Sequence, residues 1–293
     1  MKPSDVSPRL LLLALGSVPG LGGRSLARIA TRNELLGLSP KDFLKLSPEA
    51  LIEDFGLRTE SAHAWTQSHQ EALDSARILQ DKLDADSIRF VTPIDASYPT
   101  GLELMDRNPP GVLFLHGNER LFGAKTFAVL SSRKTHEAGL VRMEQAVEEG
   151  VLEGEVLVAG HDTPEYQRSA VVPLRWGAPR ILVLDQGFYK ALGHSLKEEP
   201  FRIARLWRHQ FDPSTDLVVS TIHPLRDFFP SANAQRDRLI GGLARRLDFV
   251  CPSPGGNMEK VAKSALKAGK SVRVWTGSRV FSDLIALGAR ELA

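Results

Sequence analysis

Residues 127–159, FAVLSSRKTHEAGLVRMEQAVEEGVLEGEVLVA, read as strand, helix, strand. Phe127–Leu130 and Val156–Ala159 are short continuous apolar runs, the pattern of strands covered on both faces of a parallel sheet. Between them Glu137–Glu149 carries Leu140, Met143, Ala146 and Val147 at helical spacing, which gives one apolar face. The same alternation continues on both sides. Ile88–Thr92, Val112–His116, Ile181–Leu184, Leu217–Ser220, Asp248–Cys251 and Ser271–Trp275 read as further strands. Thr163–Trp176, Ala232–Arg246 and Met258–Ala268 read as helices between the later ones. Strands alternating with amphipathic helices predict an α/β fold with a doubly wound parallel sheet.

Upstream the pattern changes. Residues 1 to about 85 read as helices. Leu10–Leu15 and Leu26–Ile29 flank a Pro19-Gly20-Leu21-Gly22 turn. Ser47 is placed to cap a helix that has Pro48 at its first position and ends near Phe55-Gly56. A long polar helix runs from about Glu60 to Leu83. The expected division is a small all-helical domain over residues 1–86 and an α/β domain over residues 87–293. Lys2 and Arg9 before Leu10–Leu15 look at first like a secretory leader, but the run is short, Asp5 interrupts it and a tight turn follows. A cytoplasmic protein is expected.

Composition narrows the classes. The 293 residues are 42% hydrophobic and 25% charged, and 37 Lys and Arg stand against 35 Asp and Glu. One cysteine excludes an internal disulfide and a cysteine-rich zinc site. No apolar run approaches the roughly 18 residues of a membrane span. Charge is unevenly spread. Arg202, Arg205, Arg208, Arg226, Arg236, Arg238, Arg245 and Arg246 outnumber the aspartates around them, and Lys260, Lys263, Lys267, Lys270 and Arg273 form a second basic stretch. Glu144, Glu148, Glu149, Glu153 and Glu155 are an acidic run. A chain sorted this way can present a local basic face to phosphates, with Phe228 and Phe229 as stacking platforms beside the arginines.

Several segments form an ordered signature. Pro19-Gly-Leu-Gly22 between two helices suits the close approach of backbone amides to a phosphate, with Arg24 and Arg28 on the next helix adding charge. Asp95, Tyr98, Pro99, Leu102, Pro110 and Gly117 follow in order, then Ser131-Ser132-Arg133 at the end of a strand, then Phe229-Pro230 ahead of Arg236-Asp237-Arg238. In this order the chain resembles the DprA/Smf family of bacterial DNA-processing proteins. The resemblance covers about residues 10–275. It implies a Rossmann-like core preceded by a helix-hairpin-helix or SAM-like domain. It also implies single-stranded DNA binding without enzymatic turnover, RecA loading during natural transformation, and homodimerisation. Arg133, Arg236 and Arg238 would be the phosphate contacts, with Arg24 and Arg28 secondary, and Ser132, Gly160, Gly255 and Gly256 would supply the cradle.

The departures fall on the loops that would hold the ligand. Ser131 replaces the family's glycine, Asp237 replaces its asparagine, and Ala159–Pro164 does not match its Ser-Gly-x-Ala loop beyond Gly160. Pro254-Gly255-Gly256 opens a helix after a strand, an anion-binding pattern. It is similar to the LOG nucleotide-processing enzymes, yet Gly-Thr is missing and Glu259 comes too early for their register. A nucleotide- or small-ligand-binding sensor, in a stress or anti-phage setting, is the alternative reading. No metal or cofactor is expected, since the eight histidines form no ligand pair. His161 follows a predicted strand, where doubly wound sheets bind ligands. Cys251 is expected to be a small core residue.

Overall fold

The computed structural model describes residues 6–293, so Lys2 and Asp5 lie outside the described residues. The chain forms two compact units, one of Met1–Tyr98 with Arg107–Leu113 and one of Pro99–Asp106 with Phe114–Ala293. Among the described residues no helix is long and apolar enough to cross a membrane.

The first unit contains α1 (Pro8–Leu15), α2 (Gly23–Leu36), α3 (Pro40–Phe43), α4 (Pro48–Glu53), α5 (Thr59–Ala85) and strand β1 (Arg89–Val91). Ser7, Ser39 and Ser47 start three of these helices by accepting the amides of Leu10, Asp42 and Ala50, and each is followed by a proline that has no amide to leave unpaired. The core is aromatic: Phe43 meets Phe55 edge-on at 5.2 Å and Trp65 at 6.2 Å. The Pro-Gly-Leu-Gly turn is built for chain packing. Gly20 adopts φ +83°, and Ser61 Oγ donates to Pro19 O at 2.9 Å. A Cβ on Gly22 would strike the Asn108 side chain, and one on Gly23 would lie 2.2 Å from Pro109 O. The close approach that glycine permits is therefore taken up inside the unit. The Asp95–Pro110 signature does the same work. Asp95 accepts from the Thr92 amide and hydroxyl at 2.7 and 2.8 Å, and Tyr98 OH donates to Pro110 O at 2.6 Å.

The second unit carries α6 (Gly101–Met105), β2 (Leu113–Gly117), β3 (Thr126–Leu130), α7 (Glu137–Leu152), β4 (Val156–Ala159), α8 (Pro164–Ala170), α9 (Val172–Arg175), β5 (Arg180–Val183) and α10 (Phe188–Ala191). It continues with β6 (Leu217–Ser220), α11 (Ala232–Leu243), β7 (Arg246–Phe249), α12 (Asn257–Lys267), β8 (Ser271–Trp275), α13 (Phe281–Ala286) and β9 (Arg290–Leu292). Its strands lie in the order β2-β6-β5-β4-β3-β7-β8-β9. Only the β2–β6 pair is antiparallel, with Phe114 opposite Ser220. The remaining pairs are parallel. This is the Rossmann-like, doubly wound sheet that the alternation predicts. The chain moves outward from β3 through β4, β5 and β6, then returns to the other side of β3 with β7. The strand order therefore reverses at β3 and β7, and the crevice beyond their carboxyl ends is where such sheets hold ligands.

Local boundaries differ from the sequence reading at two places. The Thr163–Trp176 helix is split into α8 and α9 at Pro173, which has no amide to continue the ladder. The Ala232–Arg246 helix stops at Leu243, because Arg245 N turns to Thr126 O at 3.0 Å and the chain enters β7 two residues ahead of the expected strand. Lys270 Nζ closes that helix end, donating to the carbonyls of Gly241, Gly242 and Ala244 at 2.7–2.8 Å.

Candidate nucleic-acid interface

The loops after β3, β4, β5, β6 and β7 meet at the carboxyl edge of the sheet. Ser131 and Ser132 follow β3 and tie it to the β7 loop. Ser131 Oγ accepts the Cys251 amide at 3.1 Å, Ser132 Oγ accepts the Ser253 amide at 2.8 Å, and Ser132 N donates to Cys251 O at 3.2 Å. The hydroxyl at position 131, where the resemblance leads one to expect glycine, is thus spent on a cross-loop bond. Cys251 is half-buried with its sulfur 3.7 Å from His136 Nε2, and burial pushes its thiol up.

At the N-terminus of α12 the chain supplies its own anion. Gly255, at φ +71°, donates its amide to Glu259 Oε2 at 2.5 Å, and Gly256 N donates to Ser253 O. The Lys263 ammonium, 2.5 Å from Glu259, together with the Gly255 amide, holds that carboxyl below its ordinary range. The Pro-Gly-Gly loop expected to cradle phosphate is capped internally in this structure, as a carboxylate near a helix start favours.

Arg236 is the largest departure from the expected set. Its side chain is 2% exposed and lies with its guanidinium 4.5 Å above the Tyr166 ring. It donates to Asp237 Oδ1 at 2.8 Å and to Asp162, with Asp185 at 4.0 Å. Asp237 also accepts from Tyr166 OH at 2.7 Å and from Asn257 Nδ2 at 2.6 Å. Burial, with the Asp237 charge beside it, raises the Tyr166 hydroxyl well above the ordinary tyrosine range. Gly160 serves this cluster, because a Cβ there would lie 2.9 Å from both Arg236 Cδ and the Tyr166 ring. Arg236 and Gly160 are therefore parts of a buried polar core, and the arginine is not a free cation. The reason is Asp237 and Asp162, two acids that neutralise it from its own helix and from the β4 loop.

Arg238, two residues on, points elsewhere: it is half exposed and 3.5 Å from Asp106. The two arginines of the motif are not brought together. Arg24 is exposed on α2, and Arg28 donates to Gly56 O at 2.8 Å, where it caps the end of the α4 turn. Arg133, after β3, is the predicted cation left at the edge, 65% exposed. With its amide oriented by its neighbours, Asn233 accepts from Arg133 at 2.7 Å and donates to Asp162 and Asp185 at 3.2 Å each. Asp185 lies in the loop just after β5 and faces His161 at 3.3 Å. Burial would raise Asp185, but His161 and Arg236 outweigh it and hold it below its ordinary value.

The β6 loop adds an aromatic ledge. The Arg226 guanidinium lies 4.4 Å over the Phe229 ring, and Phe228 is 48% exposed. Gly187 N donates to Arg226 O at 2.8 Å, which ties the ledge to the β5 loop. Asn233 and Asp185 were not singled out by the sequence; a polar residue just past an apolar strand was the signal for the second. Among the described residues, no group of three His, Cys, Asp or Glu side chains could hold a metal ion.

The model of the family described as DNA recombination-mediator protein A matches residues 89–286, which span strands β1 to β8, the carboxyl-edge loops and the ledge. The chain belongs to the DNA recombination-mediator protein A family. Among solved structures, the DNA processing protein A (DprA) of Streptococcus pneumoniae is similar at a TM-score of 0.72 and 19% identity, over 99% of this chain and 95% of that one. The DprA of Helicobacter pylori, described for its single-stranded DNA binding mode, is similar at a TM-score of 0.52 and 15% identity, over 70% of this chain and 91% of that one. At such identities the likeness is one of fold. No curated protein matches the chain by sequence. Membership of the DNA recombination-mediator protein A family agrees with the resemblance read from the motif order.

Proposed function

We propose that this protein binds single-stranded DNA at the carboxyl edge of its sheet, with Arg133 and Arg226 taking backbone phosphates and Phe228 and Phe229 stacking bases. Family membership over residues 89–286 is the observation that carries the reading. Exposed cations beside an aromatic ledge support it, since stacking and charge together hold single strands with little sequence preference. Arg238, Arg24 and Arg28 are secondary contacts in this reading, while Ser132, Gly160, Gly255 and Gly256 shape the edge and Arg236 organises it from beneath. The reading extends to protecting incoming strands and loading RecA in transformation, as a cytoplasmic homodimer without enzymatic turnover.

Fluorescence anisotropy with a labelled oligo-dT strand tests it. Arg133→Glu with Arg226→Glu is expected to weaken binding about tenfold or more at moderate salt and to flatten the salt dependence, because each lost phosphate contact returns its counterions. Unchanged affinity and slope would overturn the assignment. The nucleotide-sensor reading is favoured by Glu165, which is buried beside the β3 loop. Its Oε1 accepts the Thr135 amide at 3.1 Å, and its Oε2 has no hydrogen-bond partner among the described residues. A nucleotide found by mass spectrometry in protein denatured after purification would favour that second reading.

A further inference from the structure

Three carboxylates, Asp162, Asp185 and Asp237, face two guanidiniums, Arg133 and Arg236, at the carboxyl ends of β3, β4 and β5. Carboxylates outnumber guanidiniums at a place where the proposed ligand is a polyanion. Asp162 holds the pivotal position. Its side chain is 18% exposed, so it reaches the surface, whereas Asp185 and Asp237 are nearly sealed. It pairs downward with buried Arg236 and lies 3.9 Å from Arg133, which is 65% exposed. A carboxylate and a phosphate offer the arginine fork the same kind of paired oxygen acceptors. Arg236 does not depend on Asp162 alone, because Asp237 binds it at 2.8 Å.

We propose that Asp162 is an internal competitor for phosphate: its carboxylate stands at the surface of the site where Arg133 would hold the DNA backbone, and so limits how tightly this chain binds. The inference rests on the DNA-binding reading above for its ligand, and on the cluster geometry for its mechanism. A strand must displace the Asp162 carboxylate from Arg133 or bind beside its charge. The groups that face Asp162 come from the strand-end loops and from α8 and α11: His161 from its own loop, Asp185 from the β5 loop, Arg133 from the β3 loop, Tyr166 from α8, and Arg236 and Asn233 from α11. Burial, helped by the charge of Asp185, pushes the Asp162 carboxyl above its ordinary range against the pull of Arg236 and His161. Acidification therefore neutralises Asp162 before Asp185, and phosphate affinity rises as pH falls through that titration.

The test compares wild type, Asp162→Asn and the double variant Asp162→Asn with Arg133→Ala. Two probes are used, a labelled oligo-dT strand and inorganic pyrophosphate, the latter by calorimetry. Asp162→Asn is expected to bind both about tenfold more tightly at low salt, with a DNA salt slope steeper by ~0.7, one further phosphate contact on a single strand. Arg133→Ala in that background is expected to abolish the gain. Wild-type affinity should rise on acidification more steeply than that of Asp162→Asn, a comparison in which His161 is common to both. Equal or weaker binding of both probes by folded Asp162→Asn overturns the proposal. Tighter pyrophosphate binding with no DNA binding by any variant supports the carboxylate's role and removes the DNA reading instead. If the variant fails to fold, the pH series on wild type decides, since pyrophosphate affinity that does not rise on acidification overturns the proposal.

Discussion

Arg236 and Arg133 show that one residue type, in one motif-bearing region, can be placed for opposite ends. Arg236 is enclosed by Tyr166, Asp237 and Asp162, so its charge is spent in holding loops together. Arg133 is exposed at the edge, with Asp162 3.9 Å away. Removing one partner from a buried ionic cluster leaves the others uncompensated, which typically costs ~3–5 kcal/mol. Arg236→Met is therefore expected to lower the unfolding free energy by about that amount in urea denaturation, since Asp162 and Asp237 would be left without their cation. A loss below about 1 kcal/mol would show that water already satisfies those acids. The sequence marked Arg236 because of its neighbours in the chain. What the side chain does depends on Asp162, which reaches it from a separate loop.

At the scale of elements, the periodic segments were legible and the short ones were not. The helices over 137–152 and 257–267 and the strands β3, β4, β5 and β6 fall within a few residues of their predicted positions, because apolar spacing and caps are written locally. α6, α10, α13 and β9 are too short to carry a period. The end of α11 was misread because its stop signal lies outside the helix. Lys270, near the start of β8, binds three of its terminal carbonyls and is itself pushed down to about 8 by burial. Lys270→Met removes all three bonds while keeping the apolar stem. Its expected effect is a loss of ~2–3 kcal/mol, with faster amide exchange over Leu239–Leu243 than elsewhere in the second unit. Uniform exchange with unchanged stability would mean that the carbonyls find other donors.

At the scale of the molecule, each unit is fixed by contacts far apart in sequence. In the first unit, Tyr98 and Gly23 fasten to the 109–110 segment. In the second, the long connection between β5 and β6 is pinned by a quartet in which Arg180, Glu199 and Asp216 are fully buried and Arg208 is partly exposed. Arg180 donates to Asp216 at 2.8 Å, to Glu199 at 2.5 Å and to Ala170 O at 2.9 Å, and Arg208 closes the ring onto both acids. Glu199→Gln halves the charge that compensates these two arginines. It is expected to destabilise the fold by ~3 kcal/mol and to loosen the connection first, read as protease cleavage between about residues 190 and 212 before the rest of the chain is cut. Cleavage that begins elsewhere would place the weak point outside this quartet.

Alternation, capping serines and glycine turns act over a few residues, so the sequence by itself determined the class of fold, the helical start and the doubly wound sheet. The order of motifs along the chain was enough to indicate the family. Only the tertiary structure decided which charges are free. An arginine's availability depends on the carboxylates that the fold brings within about 4 Å of it, and Asp162 and Asp185 reach Arg236 from two different strand ends. No local pattern encodes that meeting. It also brought the Glu259 carboxylate onto the Gly255 amide of the Pro-Gly-Gly loop, and left Arg133 and Phe228 exposed at the edge.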